Sequence, residues 1–129
     1  MESKIDWEAL GRRAVACKHW RLLPGMLDTF GYRLLAIEGN KALFAHREDI
    51  CWFNAWDSDT PDLTDPATIG CLLALVREAW GEPSIATYPR VTSDGRVDGW
   101  RVSWWYRTSS EWQESEAEAL VAALEAACK

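Results

Sequence analysis

What this chain lacks narrows its chemistry first. It has only two histidines, His19 and His46, and no His-x-x-x-His pair. Its four cysteines, at positions 17, 51, 71 and 128, never approach the Cys-x-x-Cys spacing of zinc and redox sites. No Gly-x-Ser-x-Gly elbow and no glycine-rich phosphate loop is present. These absences remove the enzyme classes that announce themselves by local motif. A triad assembled across a fold leaves no such mark, so the reading is of a non-enzyme, with no catalytic residue, no cofactor and no metal ligand set assigned. No apolar run approaches the ~20 residues of a membrane span. The opening stretch MESKIDWEAL is polar and amphipathic rather than a secretory leader. A cytoplasmic protein with reduced, buried thiols is therefore expected.

What is present is tryptophan, nine of them in 129 residues. Indole rings carry large buried area, and they are also common anchors of binding surfaces. The length suits one domain with a full core. The net charge is −6, and the acids concentrate after residue 50. Such a balance disfavours direct contact with a nucleic-acid backbone, which wants clustered cations. It fits plain solubility, or a meeting with a basic protein surface.

Local signals lay out the elements. Asp6 can cap a first helix, with Ile5 and Leu10 as a hydrophobic staple and a stripe running through Ala14 and Cys17 toward Trp20. LLPGM at 22–26 stops it. YRLLAI (32–37) and KALFAH (41–46) flank a Gly39-Asn40 turn, and ICWFNAW (50–56) is a third strand. Asp65 and Pro66 open a second helix, expected to be the most buried of the three, and Gly81 ends it. SIATYPRV (84–91) and GWRVSWWYR (99–107) are two more strands. Ser115 and Glu118 form a capping box for a last helix. The expected fold is α+β: a single α/β sandwich domain over 1–129, with an antiparallel or mixed sheet of about five strands packed with three helices in the order αβββαββα.

The stretches LGRRAVACKHWRLLPGM, LTDPATIGCLLALVREAWGEP and ESEAEALVAALEAACK resemble a group of small tailed-phage and prophage proteins, similar in layout to the phage ABA sandwich domain. The resemblance covers about half the chain and brings no catalytic residues. It implies a sheet with helices on both faces and an accessory phage product working in the host cytoplasm.

The sharpest site candidate is DGWRVSWWYRTSSEW at 98–112, with four tryptophans. Read as one strand, Trp100, Val102, Trp104 and Tyr106 share a core face, while Arg101, Ser103, Trp105 and Arg107 share the other. An Arg-Trp-Arg row can grip a nucleotide or act as a protein-binding hot spot. Alternatively Trp105 lies buried under a helix while the arginines reach past it to water. Trp52 and Trp56, on one face of the third strand, complete the candidate binding set. The loop carrying Asp57, Asp59, Asp62 and Asp65 has oxygen ligands but no EF-hand spacing, and reads as a solvated turn rather than a cation site. Arg12, Arg13, Lys18, His19 and Arg21 make a basic patch; a second copy's acidic C-terminal half is one acceptor for it, which would make a homodimer.

The function expected is that of a phage-encoded binding protein, an anti-CRISPR-like inhibitor occluding a host protein surface. The alternatives are a small-molecule binder sequestering a signalling nucleotide and a virion-associated accessory protein.

Overall fold

A computed structural model describes residues 5–53, 60–104, 107–108 and 111–127, with backbone alone for 104, 107 and 108. The order is α1 (Trp7–Val15), β1 (Arg33–Glu38), β2 (Lys41–His46), β3 (Asp49–Phe53), α2 (Pro66–Trp80), β4 (Ala86–Val91), β5 (Val97–Trp104), β6 (Arg107–Thr108) and α3 (Glu116–Ala126). This is the α+β class and the helix–strand order that the sequence implies. The strands, however, divide into two antiparallel sheets, β1-β2-β3 and β4-β5-β6, rather than joining in one.

The helix ends follow their local chemistry. The Asp6 carboxylate accepts from the Ala9 N–H, and Asp65 accepts from the Thr68 N–H, each satisfying a donor the helix cannot. Gly81 closes α2 at φ 63°, a left-handed conformation that suits glycine. The Ser115 hydroxyl accepts from the Glu118 N–H and donates to the Glu118 carboxylate. α1 stops at Val15, short of the expected Trp20. From there the Cys17 and Trp20 N–H groups bond three residues back, to the Ala14 and Cys17 carbonyls, so the chain tightens into turns.

One main core joins the three helices and the second sheet. Leu72, Leu75 and Val76 of α2, Leu120, Val121 and Leu124 of α3, Leu10 and Ala14 of α1, and Val102 of β5 are all buried. α3, not α2, is the most enclosed helix. It packs on α1, α2, β4 and β5, and its buried alanines, Ala117, Ala119 and Ala123, permit that close approach. The Trp80 indole N–H donates to the Ala123 carbonyl at 2.9 Å and ties α2 to α3. Trp100 is half-buried against this core, as its place on the inner face of β5 requires.

The first sheet has a small core of its own, Leu34, Ala42 and Phe44, extended by Tyr32 and Ile37. Tyr32 stacks on His46 with centroids 4.4 Å apart and meets Phe44 and Phe53 edge-on. Backbone joins this sheet to the rest: Gly25 and Leu34 N–H groups donate to the Leu34 and Met26 carbonyls, and Asp28 bridges to Pro61. Arg33 adds a two-pronged ion pair to the α2 cap Asp65, at 2.8 and 3.0 Å. Buried Thr68 bonds both Asp65 and the Leu27 N–H. Two sheets in place of one thus follow from segment 25–33, which folds across the start of α2 instead of letting β1 reach β4.

Candidate binding surface on the second sheet

The register of β4 against β5 sets the site. Tyr88 pairs with Arg101, Arg90 with Gly99 and Ala86 with Ser103, so these six residues share one face. Thr87, Val102, Pro89 and Trp100 take the other face, toward α3. Tyr88 keeps 53 % of its surface exposed, and among the described residues no helix lies over it. Among the described residues, the helix packed on this sheet is α3, on one side.

The expected strand through 107 ends at Trp104. Arg107 lies on β6, paired in register with Trp104, and Thr108 with Ser103. The chain then runs back along β5 far enough for Gln113 and Trp100 to exchange two backbone hydrogen bonds, at 2.7 and 2.8 Å. The physical reason is that β5 would otherwise leave its outer N–H and C=O groups unpaired. Arg107 is therefore on a different strand from Arg101, and its side chain lies outside the described residues. Trp105 and Trp56 lie outside the described residues, and so do Asp57 and Asp59 of the acidic loop.

An aromatic ring with two guanidinium groups against it does exist, but the ring is Trp112. Arg101 Cζ lies 4.2 Å from its centroid and Arg90 Cζ 4.9 Å. The returning segment brings Trp112 to the open face of the sheet, and cross-strand pairing brings Arg90. Gly99 makes room: a Cβ there would stand 3.3 Å from Arg90 Nη2. Asp98 accepts from Arg90 Nε at 2.8 Å and holds the guanidinium down. Arg101 has no carboxylate partner among the described residues, and its buried Nε lacks a hydrogen-bond partner. Exposed Val91 and Val97 extend the surface at the far end of the hairpin. The sequence marks Arg101 and gives a reason to look for a ring beside it; Arg90 and Trp112 are missed. The one local hint is Arg90 and Asp98 facing each other across a glycine-containing turn.

The other sequence candidates fall elsewhere. Trp52 stands on β3, 47 % exposed, in the other sheet. Cys51 is exposed beside it, where a buried thiol was expected; Cys17 and Cys71 are half-buried. Burial pushes the Cys71 thiol pKa up. The three arginines of the basic patch pair within the chain: Arg12 with Glu8, Arg13 with Glu125 of α3, and Arg21 with Glu78 of α2. Asp65 serves Arg33 and Thr68, and Asp62 accepts from Thr64. An open cleft of about 610 Å³ lies between Trp7, Glu8, Phe30 and Pro61. Among the described residues no helix is long and apolar enough to cross a membrane.

No protein-family model, curated protein or solved structure matches this chain.

Proposed function

We propose that this chain is a non-catalytic binding domain that docks a protein partner through the uncovered face of β4–β5. The observation that carries the reading is the Arg90–Trp112–Arg101 cluster with exposed Tyr88 beside it on a sheet face that α3 leaves open. Tyrosine, tryptophan and arginine dominate interface hot spots, because each combines a large apolar area with a directed polar end. Trp112 holds the two guanidiniums in place, so less freedom is lost when a partner's carboxylate meets them. Arg101, with no carboxylate partner among the described residues, is the natural anchor. On the resemblance to small phage proteins, the partner would be a host protein and the effect the inhibition of a host defence system by occlusion.

The test is a photo-crosslinking residue at position 88, with position 70 on exposed α2 surface as control, in host extract. The expected result is one protein trapped from position 88 alone. Its affinity for the purified chain should then fall at least about tenfold in Tyr88→Ala with Arg101→Ala, as for a hot-spot pair. Equal trapping from both positions, or unchanged affinity, sinks the reading.

A second reading, nucleotide sequestration, draws on the same Arg101. A base stacking on Trp112 would compete with the two guanidiniums that lie over that ring, which weighs against it. A thermal-shift screen of mono- and cyclic nucleotides separates the two, since a tight ligand raises the midpoint by mass action.

A further inference from the structure

The second surface of interest is β3. All five of its residues, Asp49–Phe53, are exposed, although one edge of the strand is fully paired to β2. Among the described residues no strand takes the other edge. Natural edge strands are guarded by lysine, proline, bulges or shortness. Asp-Ile-Cys-Trp-Phe has only a terminal acid, and its register with β2 is unbroken. Ile50 is 64 % exposed and Trp52 47 %.

The pairing with β2 fixes which groups point outward. His46 and Asp49 close a two-residue turn at Arg47 and Glu48, with Arg47 at φ 56°. The closing pair of such a hairpin is hydrogen-bonded, and bonded and non-bonded pairs then alternate. Asp49, Cys51 and Phe53 therefore spend their N–H and C=O groups on β2. Those of Ile50 and Trp52 face the open edge.

We propose that β3 pairs antiparallel with β3 of a second copy, about a two-fold axis passing between the two Cys51 residues, to make one six-stranded sheet across two chains. The strand is self-complementary in this register. Ile50 of each copy meets Trp52 of the other in two hydrogen-bonded pairs, which gives four intermolecular bonds and covers the two most exposed apolar side chains of the strand. Asp49 falls opposite Phe53, so no acid meets an acid. A register centred on Ile50 sets Trp52 against Glu48, and one centred on Trp52 sets Ile50 against residue 54; neither sets the strand's two most exposed apolar side chains against each other. The symmetric register alone pairs all five residues with all five. It also fits a chain of net charge −6, because contact is made where charge is sparse. Two five-residue strands cover less than a standard interface, so the dimer is reversible and concentration-dependent.

The register has a consequence that other arrangements lack. Cys51 meets Cys51 of the second copy at a non-hydrogen-bonded position, where Cα atoms stand about 4.5 Å apart. That lies inside the range a disulfide bridges, roughly 4.4–6.8 Å. The experiment uses the full chain. Sedimentation velocity over a concentration series in reductant should show a monomer–dimer equilibrium. Diamide, which accepts the two hydrogens as paired thiols couple, should then yield a covalent dimer on a non-reducing gel. Cys51→Ser should lose the covalent dimer and keep the reversible one. Ile50→Lys, which sets a charge against the partner's indole, should lose both, with its far-ultraviolet circular dichroism unchanged. Cys17→Ser, Cys71→Ser and Cys128→Ser should still crosslink. A monomer at every concentration overturns the proposal, as does a covalent dimer that runs through another cysteine or persists in Ile50→Lys. These variants leave Tyr88 and Arg101 untouched, so failure here is distinct from failure of the docking reading above.

Discussion

Two glycines in helices meet opposite surroundings. A Cβ on Gly11 would lie 2.5 Å from Thr60 Cγ2 and 3.3 Å from the Pro61 carbonyl oxygen, because α1 lies close against the segment entering α2. Threonine has few rotamers to escape into, and the backbone oxygen cannot step aside. Gly70 is exposed in α2 with nothing within 4 Å of the added carbon. Gly11→Ala should therefore cost about 1–3 kcal/mol as overpacking, and Gly70→Ala should gain about 0.5–1 kcal/mol through helix propensity. Thermal melts that move both midpoints the same way would contradict this. Asp65 supplies a pH handle. The Arg33 guanidinium, followed by the Thr68 N–H and hydroxyl, holds its carboxyl below the ordinary aspartate pKa. A lowered native pKa favours the folded state wherever the acid is ionised: the contribution is complete above the unfolded value and is lost as pH falls through the native one. Asp65→Asn keeps an acceptor for the helix cap and removes the ion pair. It should cost about 1–2 kcal/mol at neutral pH, with the gap to wild type closing in acid. Urea titrations at the two pH extremes read it directly.

At the scale of elements, α3 is the piece whose loss would be felt most widely, since it packs on both other helices and on β4 and β5. Its start depends on Ser115, the acceptor for the Glu118 N–H. Ser115→Ala should lower stability by about 1 kcal/mol, and Ser115→Asp, which caps as well and favours the dipole, should restore it. A silent alanine variant would mean that packing alone holds the first turn. β5 shows how an element's length is set from outside it. The alternation of Trp100, Val102 and Trp104 reads through to residue 107 in sequence. The strand nonetheless yields at Trp104, so that β6 and Gln113 can pair with its free edge.

For the whole molecule, the uneven division of the core is the main fact. The helices and the second sheet share one large cluster, while β1–β3 hold three buried side chains, Leu34, Ala42 and Phe44. Regions with few buried apolar groups open locally below the global unfolding free energy. Amide exchange should therefore be fastest in β1–β3, and Leu120, Val121, Leu124 and Val102 should exchange only through global unfolding. Uniform protection across both sheets would refute that division. The arrangement also separates two surfaces: an aromatic and cationic face on the sheet that shares the large core, and an apolar edge on the other.

The sequence by itself determined the three helices, their N-caps, the stop of the second, the order of helices and strands along the chain and the first hairpin. Each of these is governed by residues within about one turn of each other, where backbone donors, capping oxygens and glycine conformations act. It also marked Arg101 and Trp52 as candidates, because alternation assigns a face along one strand. Only the tertiary structure decided that the strands form two sheets, that Arg21 and Arg13 of the basic patch pair with Glu78 and Glu125, and that Arg101 and Arg90 meet Trp112. Those contacts depend on register between strands and on where the chain doubles back. One residue of slip moves every side chain to the opposite face, and closing of the core, rather than any local pattern, fixes that choice.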